Sequence, residues 1–124
     1  MESVALKNVL LVDDYQAFLT ILAEQLSDNG FSILTAEDGE KALKVLESSR
    51  VDLVVTDLHM PVMDGYDLIS YLKKNYPVTP IIVVSNFLYP DSERRLRALG
   101  VSQYMEKHSF SISALEEMIL RSWE

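Results

Sequence analysis

The sequence predicts an α/β domain in which helices cover both faces of a parallel sheet. Short aliphatic segments alternate five times with segments of helical periodicity. Strands that are apolar along their whole length are typical of parallel sheets buried on both sides. The chain has 124 residues and shows no linker, repeat or low-complexity stretch. Because one domain takes roughly 100–200 residues, we expect a single domain over residues 1–124.

The predicted strands are short aliphatic segments bounded by turn-forming or charged residues. They are assigned to Val9–Val12, Ser32–Thr35, Leu53–Thr56, Ile81–Val84 and Ser102–Met105. The predicted helices follow them in turn and are assigned to Tyr15–Ser27, Glu40–Glu47, Tyr66–Lys74, Ser92–Leu99 and Ser111–Trp123. The first and last helices repeat apolar residues one turn apart, as half-buried helices do. Gly30 and Gly100 stand where helix C-caps are expected.

Composition excludes several functional classes. The chain has no cysteine, which removes disulfide frameworks and thiolate metal sites. Its formal net charge of −8 opposes direct binding to nucleic acid. The longest aliphatic runs, Val9–Val12 and Ile81–Val84, are too short to span a bilayer, and the first residues lack the pattern of a signal peptide. We therefore expect a cytoplasmic protein without membrane association.

Acidic residues follow two of the predicted strands. Asp13 and Asp14 end the first strand, and Asp57 ends the third. Ligands of open α/β sheets bind beyond the carboxyl ends of the strands. If the two strands are neighbours, about 4.8 Å apart, three carboxylates share one pocket and recruit a hard cation such as Mg²⁺. The alternative is that the acidic pair only caps the first helix.

Two further polar residues border the same edge of the predicted sheet. Ser85 follows the fourth strand, and Lys107 follows the fifth. Each has an ordinary interpretation, since a hydroxyl often ends a strand and lysine is usually a solvated surface residue. Taken together with Asp57, a cation and a hydrogen-bonding group at one edge favour a site for phosphoryl transfer.

Four sequence motifs resemble those of the response-regulator receiver domains of two-component signalling. They are Leu11–Asp14, Thr56–Gly65, Val84–Ser85 and Tyr104–Lys107. The resemblance implies a flavodoxin-like (βα)5 fold with sheet order 2-1-3-4-5. Right-handed crossovers then place the first and fifth helices on one face of the sheet and the other three on the opposite face.

The resemblance also implies the chemistry of the acidic residues. Asp57 would be phosphorylated by a histidine kinase or a phosphotransfer protein. Mg²⁺ would be held by Asp14, Asp57 and the His59 carbonyl, with Asp13 acting through water. His59 allows a second interpretation, because its imidazole can orient or repel an attacking water or can be an ordinary exposed loop residue.

Further roles are implied for the basic and switch residues. Ser85 and Lys107 would contact the phosphoryl oxygens, and Ser85 and Tyr104 would transmit the change. Tyr104 can also be a fixed sheet-edge aromatic. The surface of the fourth helix, fifth strand and fifth helix would bind an output domain or effector, or a second copy of the chain. Such a domain is a signalling module rather than an enzyme, since it catalyses only its own phosphorylation and dephosphorylation.

The chain departs from the family pattern after Lys107 and after Ser85. His108 follows the lysine where the family commonly has proline. A cis bond before a residue other than proline costs about 3–4 kcal/mol, so we predict a trans Lys107–His108 peptide. We also expect a changed loop path and a lysine less firmly aimed at Asp57. Asn86 replaces the usual small residue after Ser85 and is expected to alter phosphorylation kinetics.

Two other functional classes stay open at the level of the sequence. Aspartyl-phosphate phosphatases also use an aspartate nucleophile and Mg²⁺. Their nucleophile, however, follows the first strand in an Asp-x-Asp element, and Asp13 and Asp14 have no spacer. The other class is a pseudo-receiver that binds partners without phosphorylation, which the missing proline and Asn86 allow.

Overall fold

The protein is described by a computed structural model that covers residues 7–86 and 88–124. Five strands form one parallel sheet in the order β2-β1-β3-β4-β5. Their bounds are β1 (Asn8–Val12), β2 (Ser32–Ala36), β3 (Leu53–Thr56), β4 (Ile81–Ser85) and β5 (Tyr104–Glu106). The flavodoxin-like strand order implied by the motifs is confirmed.

Five α-helices connect and follow the strands, and a short 3₁₀ turn (Lys107–Ser109) follows β5 directly. The helices are α1 (Gln16–Asp28), α2 (Gly39–Ser48), α3 (Gly65–Asn75), α4 (Pro90–Ala98) and α5 (Ile112–Ser122). Within the described ranges, no helix is both long enough and apolar enough to cross a membrane.

Two apolar cores lie on opposite sides of the sheet. On one side, Leu22 of α1 and Leu115 of α5 pack with Val9 and Val55 of the sheet. The other core combines alternate strand residues with buried side chains of α2, α3 and α4. Alternate residues of a strand point to opposite faces, which is why each aliphatic strand serves both cores. The predicted distribution of helices over the two faces is confirmed.

The ends of the elements differ from the prediction by one or two residues in most cases. The largest differences are in α4, predicted over Ser92–Leu99, and in β5, which was predicted over Ser102–Met105 and lies at Tyr104–Glu106. The predicted β5 began too early because the chain turns after α4 before it enters the sheet, and the Val101 N–H still donates to the Leu96 carbonyl of α4 at 2.8 Å. The predicted caps at Gly30 and Gly100 are confirmed, with φ angles of 98° and 84°.

Candidate functional site

Sheet register brings the acidic residues to one edge. Val12 of β1 pairs with Thr56 of β3, so the residues that follow them leave the sheet side by side. Carboxylate oxygens of Asp13, Asp14 and Asp57 lie within 4.8 Å of one another. Asp13 and Asp57 are buried, with 4% and 6% exposure, whereas Asp14 is exposed. The structure therefore brings together the three carboxylates that the sequence placed in one pocket.

Backbone N–H groups hold one oxygen of each buried carboxylate. Asp57 Oδ1 accepts from the Leu58 N–H at 2.6 Å and, at 3.4 Å, from the His59 N–H. Asp13 Oδ1 accepts from the Tyr15 N–H at 2.8 Å. Tyr15 is itself the N-cap of α1, and no side chain caps that helix. The interpretation of the acidic pair as a helix cap is therefore wrong, and both Oδ2 atoms remain for other contacts.

The Lys107 ammonium joins the two buried carboxylates. Its Nζ lies 2.7 Å from Asp13 Oδ2 and 3.3 Å from Asp57 Oδ2. No cis peptide occurs among the described residues, so the predicted trans Lys107–His108 peptide is confirmed. The expectation of a poorly aimed lysine is wrong. The 3₁₀ turn that starts at Lys107 carries the chain away from β5 while the side chain, 10% exposed, points to the carboxylates.

Burial and charge act against each other in this group. Burial raises the pKa of Asp13, and the hydrogen bonds from Lys107 and from the Tyr15 backbone lower it without cancelling that effect. Burial lowers the pKa of Lys107, but the Asp13 hydrogen bond and the Asp57 charge more than offset it, so this pKa is raised. The pKa values of Asp13 and Lys107 are both raised, because one ammonium contacts two carboxylates. The site therefore retains an excess of negative charge.

Ser85 ends β4 at the same edge of the sheet. Its side chain is fully buried, and within the described residues its hydroxyl is the buried side-chain group without a hydrogen-bond partner. The buried hydroxyl of Thr56 on β3 is satisfied, since it donates to the Asp57 carbonyl at 2.8 Å. Buried hydroxyls are rarely left unpaired, so Ser85 Oγ is suited to donate to an oxygen of a bound anion.

The other predicted residues lie nearer the surface. His59 and Asn86 are exposed, and Tyr104 is half-buried on β5. The Tyr104 ring packs against the core that contains α2, α3 and α4. Tyr104 therefore lies on the edge strand, where it lines a surface pocket together with Leu88 and Glu93.

Gly65 is a site residue whose function the sequence motif did not reveal. A Cβ atom at this position would lie 2.2 Å from the Asp57 carbonyl oxygen and 2.7 Å from Leu58 Cα. The Gly65 N–H also donates to the Leu58 carbonyl at 2.9 Å. Only glycine allows the start of α3 to approach the Asp57 backbone this closely.

The loop before α3 is strained at an exposed residue. Val62 has a φ of 70° and a side chain that is 76% exposed. The Met63 N–H donates to the Pro61 carbonyl at 2.8 Å, which closes a tight turn around Val62. A β-branched residue seldom adopts this conformation, so the surrounding loop must impose it. Strain of this kind is frequent beside functional sites.

The donor set fits a hard divalent cation. The three side chains that could hold a metal ion are all carboxylates, and two of them are buried and accept hydrogen bonds from the backbone. Mg²⁺ prefers oxygen ligands and is commonly held by one or two carboxylates together with waters and phosphate oxygens. The exposed Asp14 leaves one side of the cluster open to solvent and to a phosphate group.

Comparison with curated proteins connects this site with signalling proteins. PhoP of Bacillus subtilis, an alkaline phosphatase synthesis transcriptional regulatory protein, is 33% identical over 121 residues, which cover 95% of this chain and 50% of PhoP. The sensor histidine kinase RcsC of Escherichia coli is 37% identical over 100 residues, 80% of this chain and 10% of RcsC. The chain thus spans half or less of the length of these relatives.

Comparison with solved structures supports the same relationship. The response regulator TrrA of Thermotoga maritima, in complex with Mg(2+)-BeF, superposes with a TM-score of 0.83 at 32% identity. The match covers 94% of this chain and 99% of TrrA. Residues 9–120 match the family model for the response regulator receiver domain. With its parallel sheet and the acidic cluster at its edge, the chain belongs to the response-regulator receiver domain family of two-component signalling.

Proposed function

We propose that Asp57 accepts a phosphoryl group from the phosphohistidine of a histidine kinase or a phosphotransfer protein. The observation that carries this proposal is the Asp57 Oδ2 atom, which lies 3.3 Å from the Lys107 ammonium at the open edge of the sheet. This oxygen attacks phosphorus as the bond from phosphorus to the donor's imidazole nitrogen breaks. The electron pair of that bond stays on the imidazole nitrogen, which is the leaving group, and the new bond from Asp57 Oδ2 to phosphorus makes an acyl phosphate.

Lys107 and Ser85 are placed to support the incoming phosphoryl group. The ammonium supplies a fixed positive charge, and the unpartnered Ser85 hydroxyl supplies a hydrogen-bond donor. Preorganised groups of this kind stabilise charge on phosphoryl oxygens without reorganising during the reaction. If Ser85 and Lys107 move to contact the phosphoryl oxygens, phosphorylation of Asp57 would also shift the ends of β4 and β5. The side chain of Tyr104 on β5 would then change its position at the surface.

The implied cation is Mg²⁺, which Asp14, Asp57 and the His59 carbonyl would hold, with Asp13 acting through water. Its bound form would offset negative charge on the carboxylates and on the phosphoryl oxygens. The acidic cluster and the Mg(2+)-BeF complex of the relative TrrA support this assignment. The carboxylates of Asp13 and Asp57 are held in place by backbone hydrogen bonds, whereas the Asp14 side chain is exposed and can turn toward the cation.

The metal assignment predicts a loss of Mg²⁺ affinity in Asp14→Ala. Removal of one of three clustered carboxylates should weaken binding by about tenfold, because each contributes charge and a ligand atom. Isothermal titration calorimetry with MgCl₂ measures the change. Glu37→Ala, which removes an exposed carboxylate of the pair with Lys41, is the control and should bind Mg²⁺ like the parent. Unchanged affinity in Asp14→Ala would remove that residue from the metal site.

We further propose that the chain forms one receiver domain whose own chemistry is limited to gaining and losing this phosphoryl group. A transcriptional regulator and a sensor histidine kinase are among the relatives, which supports a place within a longer signalling chain or beside such partners. The surface of α4, β5 and α5, which contains Tyr104, is the proposed docking face for an output domain, an effector or a second copy.

Incubation with acetyl phosphate and MgCl₂ tests the proposed reaction. Intact-mass spectrometry should show the addition of one phosphoryl group to the parent and none to Asp57→Asn. Asp38→Asn is the matched control, since Asp38 caps α2 and asparagine caps equally well, so uptake should be unchanged. Uptake by Asp57→Asn would place the acceptor elsewhere. A parent that takes up no phosphoryl group would favour a module that binds partners without phosphorylation.

A further inference from the structure

The Lys107 ammonium has a third neighbour besides the two carboxylates. It lies 4.6 Å from the centroid of the Phe18 ring, which projects from α1. Phe18 also lines the small cavity that Asp13 and Asp57 border. A cation over an aromatic face is attracted by the negative face of the ring, and more strongly where water is excluded. The 10% exposure of the lysine side chain meets that condition.

A second aromatic ring fixes the first. Phe110 follows the 3₁₀ turn and meets Phe18 edge to face, with ring centroids 5.6 Å apart and an interplanar angle of 71°. Both rings are half-buried and pack against the core formed with α1 and α5. The chain segment that begins with Lys107 is therefore held at both ends by Phe18, through the ammonium and through Phe110.

These contacts explain how the lysine stays aimed although no proline follows it. The carboxylates of Asp13 and Asp57 contact only the ammonium at the end of a long side chain. Phe18 restricts the motion of the ammonium, and the edge-to-face contact with Phe110 restricts the turn that carries it. Edge-to-face pairs of this kind are favoured over rings that face each other directly, and they have a defined geometry.

We propose that Phe18, held by Phe110, is a positioning residue that keeps the Lys107 ammonium against Asp57 for phosphoryl transfer. The proposal rests on the proposed function of Asp57. It differs from a simple packing role because it requires an aromatic face at position 18. A leucine there preserves much of the apolar volume and loses the attraction for the cation, whereas a tyrosine preserves both.

The first test is spectroscopic and needs neither Mg²⁺ nor a phosphodonor. Protons next to the Lys107 ammonium should resonate upfield in ¹H–¹³C NMR spectra of the parent, because they lie over the Phe18 ring. The upfield shift should disappear in Phe18→Leu and persist in Phe18→Tyr. It should also persist in Phe31→Leu, the control, which removes a half-buried ring of the same core that pairs with Trp123 instead. Unchanged Lys107 resonances in Phe18→Leu would overturn the proposal.

The second test measures the rate of phosphorylation by acetyl phosphate at saturating Mg²⁺. Phe18→Leu should react about tenfold more slowly, while Phe18→Tyr and Phe31→Leu stay within about twofold of the parent. In a Lys107→Met background, Phe18→Leu should cause no further loss, since the residue acts through the lysine. An equal loss in Phe18→Tyr, or an additive loss in the Lys107→Met background, would show general packing damage and overturn the proposal.

The two tests separate this proposal from the proposed function. If the parent takes up no phosphoryl group, the assignment of Asp57 fails, and with it the role of Phe18 in transfer. The NMR comparison still decides whether the Lys107 ammonium lies against the Phe18 ring. If the parent is phosphorylated and Phe18→Leu loses the upfield shift without a slower rate, Asp57 stands as the acceptor and positioning by Phe18 is refuted.

Discussion

Lys107→Met should lower the free energy of unfolding by about 3 kcal/mol at neutral pH without divalent cations, because it leaves two buried carboxylates unpaired. Asp13 and Asp57 are 4% and 6% exposed, and both now contact the ammonium through Oδ2. Methionine is unbranched, apolar and one heavy atom shorter than lysine, so it keeps most of the stem and the loss reports mainly the missing ammonium. Urea denaturation followed by circular dichroism measures it.

Lys41→Met is the matched control for this prediction. Lys41 pairs with Glu37 at 3.3 Å on the surface, where both side chains are about half exposed. Exposed pairs contribute about 0–1 kcal/mol, so this variant should unfold like the parent. Addition of MgCl₂ should raise the free energy of unfolding more in Lys107→Met than in the parent. In the variant no ammonium competes with Mg²⁺ for the carboxylates. A loss of equal size in both lysine variants would contradict the assignment of Lys107 to a buried pair.

The pH dependence of the same variant gives an independent check. The pKa of Lys107 is raised in the folded chain, chiefly because the Asp13 hydrogen bond and the Asp57 charge outweigh burial. Its contribution to stability is therefore complete below the unfolded lysine pKa of 10.5 and is lost as pH rises through the higher folded value. The parent should lose stability across that alkaline window, and Lys107→Met should lack this part of the loss.

Much of the fold was predictable from sequence because its signals are local. An aliphatic strand such as Leu53–Thr56 can be recognised from its own residues, and so can the motif that includes Asp57. Neither requires knowledge of tertiary contacts. The position of β5 was less predictable, since it has three residues and pairs on one side only, with β4. Its register depends on partners that the local sequence does not reveal.

The aim of Lys107 could not be predicted for a related reason. The sequence shows only that His108 stands where a proline is common, and this pointed to a loosely held lysine. Besides the two carboxylates, the ammonium lies over the ring of Phe18, which the sequence presents only as one more apolar residue in the stripe of α1. Aromatic residues in such a stripe usually serve packing alone, so periodicity gives no sign of a neighbouring cation.

Gly65→Ala should be the most damaging of the glycine substitutions, lowering the free energy of unfolding by about 3 kcal/mol. Overpacking in a well-packed region costs about 1–3 kcal/mol, and the upper end applies where the neighbours cannot move. Here the added Cβ would lie 2.2 Å from the Asp57 carbonyl oxygen and 2.7 Å from Leu58 Cα, both backbone atoms. The start of α3 must therefore move away from β3, or the Asp57 backbone must shift.

Gly30→Ala separates this steric effect from the conformational effect of losing a glycine. Gly30 has a φ of 98° but no atom within 4 Å of an added Cβ, so its substitution should cost about 1–2 kcal/mol through backbone strain alone. Urea denaturation of the two variants measures the difference. Gly65→Ala should in addition slow phosphoryl uptake from acetyl phosphate, because a displaced Asp57 loses its alignment with Lys107, whereas Gly30→Ala should react like the parent. Equal destabilisation by both substitutions, with unchanged uptake, would mean that α3 can retreat without disturbing Asp57 and that the close approach of Gly65 does not set the geometry of the site.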